Sequence, residues 1–161
     1  MVYIVMGVSG CGKTTIGRRL AQRMTLPFFD ADDFHPPENI QKMKSGVPLT
    51  DEDRTPWLQA LSDLICEWNR NKGAVLACSA LKQTYREQLS SNGKEPVTFI
   101  FLKGSKSLIF KRLQERDKHY MPTVLLDSQF SDLEEPRDAI TLSVDRSPAD
   151  LVDELCRLIS F

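Results

Sequence analysis

Val2-Tyr3-Ile4-Val5-Met6-Gly7-Val8-Ser9-Gly10-Cys11-Gly12-Lys13-Thr14 stands at the head of this 161-residue chain. The first five residues are β-prone with no polar alternation, the pattern of a strand buried on both faces. The next eight fit G-x-x-x-x-G-K-[ST] at every fixed position, and Ile16, Leu20 and Met24 then recur at helical spacing. A glycine-rich turn between a buried strand and a helix is the setting in which this motif cradles phosphate. Its glycines let the backbone of Gly7, Val8, Ser9, Gly10, Cys11 and Gly12 curl so that successive N–H groups face one cavity, and Lys13, Thr14 and Thr15 continue that row into the helix. The helix adds the positive end of its dipole. Lys13 is expected to reach the β- and γ-phosphates of a nucleotide, and the Thr14 hydroxyl to ligate Mg²⁺.

Outward from this turn, strands and helices alternate. Leu26 to Phe29 reads as a second strand running into Asp30-Ala31-Asp32-Asp33; Ala74 to Cys78, Val97 to Leu102 and Ile140 to Val144 read as three more. Helices are expected over Pro36 to Gly46, from Thr50-Asp51-Glu52-Asp53 onward, over Gln83 to Ser90, over Ser105 to Arg116, and around Leu125 to Phe130. A last helix starts at Ser147-Pro148-Ala149-Asp150, where a hydroxyl, a proline and an acid follow one another. Trp57 and Trp68 fall on the apolar face of the third helix and are expected in the core. The alternation predicts one α/β domain over residues 1–161, with a parallel sheet between helical layers. Ligands in such sheets sit beyond the carboxyl ends of the strands, so residues 7–14, 30–33 and 79–82 should converge.

Composition narrows the partners. Lys and Arg number 21 against 22 Asp and Glu, a net charge of −1, which lacks the basic excess of a nucleic-acid binder. No apolar run approaches the roughly 18 residues of a membrane span, and no signal-peptide pattern opens the chain. The four cysteines form no C-x-x-C pair and the two histidines complete no zinc spacing. Free thiols in a reducing, cytoplasmic setting are expected, with neither a nucleic acid nor a membrane as partner.

Charged residues separate the classes of phosphate-loop protein. A GTPase needs N-K-x-D to read its base, and Asn71-Lys72-Gly73-Ala74 fails at the last position. Motor and transporter ATPases usually end the third strand in a magnesium-binding Asp, where this chain has Cys78-Ser79. The acids follow the second strand instead, which suits a small kinase: one carboxylate orients hydrated Mg²⁺ and another receives the acceptor hydroxyl. Asp33 is equally consistent with a solvated turn. Residues 103–118 hold six basic residues against two acidic ones, and Arg112 and Arg116 share a helical face ahead of Pro122. This segment is read as a mobile lid over about 116–124 that closes positive charge on the transferring phosphoryl group.

Four stretches taken together resemble gluconate kinase, the small thermoresistant type related to shikimate and nucleoside monophosphate kinases. They are GVSGCGKT (7–14), FFDADDFHPPENIQKMKSGVPLTDEDRTPWL (28–58), CSALKQTYREQL (78–89) and RLQERDKHYMPTVLLDSQFSDLE (112–134). The phosphate loop is shared with many proteins; His35-Pro36, Asp53-Arg54, Pro56-Trp57 and Ser79-Ala80-Leu81-Lys82 in this order are far more specific. The resemblance implies a three-layer phosphate-loop kinase fold with strand order 2-3-1-4-5, a homodimer, and Mg²⁺-dependent transfer from ATP to the 6-hydroxyl of D-gluconate. By the same resemblance Asp30 belongs in the magnesium's water shell, Asp32 accepts the hydroxyl proton, and Arg116 comes down from the lid. Arg112 would stack on adenine. The gluconate carboxylate requires a cation, from Arg54 or Lys82; His35, Ser79 and Arg86 are further candidates for polyol or carboxylate contacts, and a capping or packing role suits His35 equally. Cys11 stands where Ser is common, and an oxidisable thiol in the loop is expected from it. Two other readings remain open from the residues alone: a kinase for another small anion, such as shikimate or a nucleoside monophosphate, and a catalytically silent nucleotide-binding module.

Overall fold

In a computed structural model that describes residues 1–115 and 123–160, β1 (Val2–Met6) is the middle strand of a five-stranded parallel sheet. To one side lie β3 (Ala74–Ala77) and then β2 (Phe28–Asp30); to the other lie β4 (Val97–Lys103) and β5 (Ile140–Ser143). The expected order 2-3-1-4-5 is the observed one. In register, Ile4 pairs with Leu76 and Phe99, Phe29 with Leu76, and Leu102 with Leu142. Parallel neighbours need crossovers, and the crossover helices cover both faces of the sheet.

Side chains alternate along β1 and divide the core in two. Val2, Ile4 and Met6 pack with Trp57, Leu58, Leu61 and Ile65 of α3 (Asp51–Arg70) and with Tyr85 and Leu89 of α4 (Gln83–Leu89). Val5 packs on the opposite face with α1 (Lys13–Met24), α5 (Lys106–Gln114) and α7 (Pro148–Ile159). Burying one aliphatic side chain of this size is worth about 1.5–3 kcal/mol, so a strand buried on both faces anchors both layers. Trp57 and Trp68 are buried as expected, Trp68 stacked on Phe29 with centroids 4.3 Å apart. No helix among the described residues is long and apolar enough to cross a membrane.

The second strand starts two residues later than its apolar run suggests. Thr25 turns left-handed at φ 56° to close α1, and Leu26 N–H donates to the Ala21 carbonyl at 2.9 Å. Residues 25 and 26 are therefore spent on the helix cap, and Pro27 has no N–H for the ladder. At the carboxyl edge of the sheet, α2 (Pro37–Lys44) precedes α3, and α6 (Thr123–Asp132) extends the short helix expected around Leu125 to Phe130. α3 opens with a reciprocal cap: Asp53 N–H donates to Thr50 Oγ1 at 3.1 Å, and Thr50 N–H to Asp53 Oδ2 at 2.9 Å. The same Asp53 oxygen takes Lys42 Nζ at 2.8 Å, tying α2 to α3. These bonds, the Lys42 contact above all, hold the Asp53 carboxyl down to about 2. Arg116 and most of the expected lid lie outside the described residues.

Candidate active site

Beyond the carboxyl ends of β1, β2 and β3 opens a cavity of about 590 Å³. Gly7 and Gly12 show why the loop at its base is glycine-rich. Gly7 has φ 146°, and a Cβ there would lie 2.9 Å from the Leu102 carbonyl; Gly12, at φ 103°, caps α1 without a side chain. Ser9, Gly10, Gly12, Lys13, Thr14 and Thr15 face the cavity. Val8 and Cys11 turn their side chains into the core, Cys11 to 2 % exposure. An oxidisable thiol in the loop is the expectation for Cys11; packing in the core removes that thiol from solvent.

Lys13 Nζ donates to the Val8 carbonyl at 3.0 Å, curled over the loop it would share with a phosphate. Thr14 Oγ1 donates to Asp30 Oδ2 at 3.4 Å, and the other Asp30 oxygen accepts Asp32 N–H at 3.0 Å. Asp30 thus caps the 3₁₀ turn Ala31–Phe34 that brings Asp32 into the cavity. The Asp32 side chain lines that cavity. The enclosing walls desolvate it and the Asp30 carboxylate repels its charge, so its pKa rises above the ordinary value although Lys13 opposes the shift. Thr14 and Asp30 offer hard oxygens side by side, and among the described residues no cluster of three His, Cys, Asp or Glu stands ready for a metal. So sparse a protein donor set suits Mg²⁺, which keeps waters and takes phosphate oxygens for the rest of its shell.

The opposite wall comes from the start of α3 and the turn after β2. His35 stacks on Trp57 with centroids 4.0 Å apart, and Trp57 Nε1 donates to the Ala31 carbonyl at 2.8 Å. Burial, with the positive charge of Arg54 nearby, pushes the His35 imidazole down to about 4. Arg54 lines the cavity and donates through Nη1 to the Leu49 carbonyl at 2.7 Å and to the Tyr85 hydroxyl at 3.1 Å. That hydroxyl donates in turn to Asp51.

The remaining expected residues divide. Ser79 lines the cavity, and its carbonyl accepts Gly7 N–H at 3.3 Å. Cys78 lines it too, with a thiol that burial pushes up to about 12, which leaves it no nucleophilic role. Lys82 is not among the lining residues and pairs with Asp51 at 3.2 Å. Arg86 also stays out of the cavity: buried, it donates to the carbonyls of Ala80, Leu81 and Glu134 at 2.7–3.0 Å. It braces the loop after β3, and contact with a ligand would require breaking those bonds. Arg112 is likewise outside the lining set, its guanidinium on the Val144 carbonyl at the end of β5. Gln129 of α6 is a cavity residue that sequence reading missed. Ser9 N–H donates to its Oε1 at 2.7 Å, and its Nε2 donates to Ser9 Oγ at 3.2 Å. Its partner is 120 positions away, and no local spacing signals such a pair.

A family model described as shikimate kinase matches residues 9–150. A probable gluconokinase of Dictyostelium discoideum is 50 % identical over 142 residues, covering 84 % of this chain and 71 % of that protein. The thermosensitive gluconokinase of Escherichia coli K12 is 42 % identical over 160 residues, covering 96 % and 84 %. Among solved structures, a gluconokinase from Sinorhizobium meliloti 1021 superposes with a TM-score of 0.88 at 40 % identity, over 98 % of this chain and 92 % of that one.

Proposed function

The chain belongs to the gluconokinase family, and from that membership we propose that its cavity carries out ATP-dependent phosphorylation of D-gluconate on the 6-hydroxyl, giving 6-phospho-D-gluconate and ADP. The observation that carries the reading is the joining, in one cavity, of a phosphate loop, a carboxylate of raised pKa and a partly engaged guanidinium. The loop amides and Lys13 hold the β- and γ-phosphates. Asp32 accepts the proton of the attacking hydroxyl, and its raised pKa brings it nearer the basicity that task needs. Among the described residues only Nη1 of Arg54 is engaged, so the rest of its fork meets the sugar-acid carboxylate. Thr14 and Asp30 would hold Mg²⁺, which supplies charge neutralisation between the phosphates. Arg116 is assigned the transition-state charge and Arg112 the adenine face, which requires Arg112 to leave Val144. Ser79 and His35 contact the polyol, and Lys82 supports Arg54 through Asp51. The four free cysteines support a cytoplasmic setting, and the family resemblance supports a homodimer, which sedimentation would test.

The test is a coupled ADP-release assay with gluconate, glucose, shikimate and nucleoside monophosphates as acceptors. Gluconate alone is expected to stimulate release. Lys13→Ala should lose about 10³-fold or more in turnover, the scale of a transition-state charge stabiliser, with unchanged thermal unfolding. Stimulation by shikimate or a nucleotide instead of gluconate would move the acceptor to another class. Nucleotide binding without any acceptor-stimulated release would make the chain a silent module.

A further inference from the structure

We propose that Asn39 is a positioning residue, locking His35 as the neutral imidazole with its proton on Nε2, so that this N–H faces the cavity beside Asp32 as a donor to an acceptor hydroxyl. The inference rests on the kinase reading above for its acceptor and on side-chain geometry for its tautomer. Asn39 is buried and lies within α2. One atom of its amide is 2.9 Å from the main-chain carbonyl of Asp53. A carbonyl only accepts, so that atom is the amide nitrogen. The same nitrogen is 3.3 Å from His35 Nδ1. Its second hydrogen therefore points at Nδ1, which has to be the unprotonated nitrogen; a proton there would set two donors face to face. The exchangeable proton is left on Nε2.

The stack on Trp57, at an interplanar angle of 16°, fixes the plane of the ring, and Trp57 is itself pinned to Ala31. Within that plane the Asn39 contact selects the orientation, because a ring turned over would set a C–H where Nδ1 now accepts. His35 Nε2 stands 3.8 Å from Asp32 Oδ1. That gap is too wide for a direct hydrogen bond, and it admits a hydroxyl oxygen about 2.8 Å from each. Such a hydroxyl accepts from Nε2–H and donates to the carboxylate, so both lone-pair and proton directions of the polyol are set by protein. The imidazolium would be a charged donor here, but burial of the ring, with the positive charge of Arg54 nearby, disfavours it.

Imidazole ¹⁵N spectra of the whole protein near neutral pH read the tautomer without any acceptor. The chain has two histidines, and the His35→Gln variant assigns the signals. The expected pattern for His35 is a protonated Nε2 and a bare Nδ1; protonation at Nδ1 would overturn the proposal even if no Asn39 variant folds. The functional arm is a double-mutant cycle on acceptor KM. Asn39→Ala should raise the gluconate KM on the order of tenfold, the scale of one neutral hydrogen bond, while the ATP KM stays within about twofold. In the His35→Gln background, where the donor amide needs no tautomer lock, the same substitution should change gluconate KM by less than about twofold. An equal loss in both backgrounds would reduce Asn39 to a brace between α2 and α3. If the wild-type chain uses another acceptor, the cycle is read on that acceptor, and the tautomer result stands apart from it.

Discussion

Arg54 lines the cavity and spends one nitrogen on Leu49 and Tyr85, while Arg86, 32 positions on, is buried outside it and gives most of its donors to main-chain carbonyls. Both are arginines near acidic residues, and only burial and bonding distinguish the proposed binder from the brace. Gluconate differs from glucose by a carboxylate, so discrimination needs a cation that the neutral sugar leaves unpaired. Arg54→Ala should therefore cost roughly 2–5 kcal/mol in kcat/KM for gluconate, the scale for truncating one partner of a desolvated pair, with nucleotide affinity little changed. Steady-state kinetics on both substrates measure this. Untouched gluconate kinetics in the variant would remove Arg54 from the acceptor site.

Helix starts in this chain are local events, and α3 has most to lose from a poor one, because Asp51, Asp53 and Arg54 all lie in its first turn. Removing the Thr50 hydroxyl leaves Asp53 N–H without its cap. Thr50→Ala should cost about 1 kcal/mol and lower Tm by about 2–4 °C; a thermal scan would detect it, and an unshifted midpoint would mean solvent replaces the cap at no cost. Ser105 and Ser147 cap α5 and α7 in the same way, accepting from Leu108 and Asp150 N–H at 3.2 Å. Cap residues lie within three positions of what they cap, which is why these starts, like the contiguous phosphate loop, were legible in the sequence, whereas the strand order joins distant segments and came from the family resemblance. The start of β2 was not, because Thr25 had to be seen in a left-handed conformation before Leu26 could be taken from the strand. Gln129 on Ser9, Tyr85 under Arg54, and Asn39 between His35 and Asp53 were hidden for a related reason: each joins elements whose approach is decided by packing, and residue type alone carries no record of it.

Over the whole molecule, His35 and Asp53 let acid weaken the fold in two stages, and Asp32, with its raised pKa, works against them. His35 is held neutral at about 4 against an ordinary 6.5, so between those values the unfolded chain binds a proton the folded one refuses. The His35 contribution is complete above about 6.5 and is lost as pH drops to about 4, on the order of 3 kcal/mol. Asp53, held at about 2 against 3.8, then withdraws its contribution as pH falls through that lower window. Urea unfolding across pH should give a slope between 6.5 and 4 that is shallower by about one proton in His35→Gln than in the wild type; coincident slopes would show that the histidine is not buried neutral. The sheet has a consequence on another axis, that of time. β1 is translated before both its neighbours, which begin at Ala74 and Val97. At a synthesis rate of about 5–20 residues per second, β1 waits on the order of 5–20 s before its second flank exists. Through that interval Val2-Tyr3-Ile4-Val5-Met6 is an apolar ribbon with bare edges, the kind of segment that chaperones and aggregates compete for. The strand that carries the phosphate loop is written before either of its partners and enclosed late, so the yield of folded protein should depend on how the newborn chain is sheltered while the ribosome finishes β4.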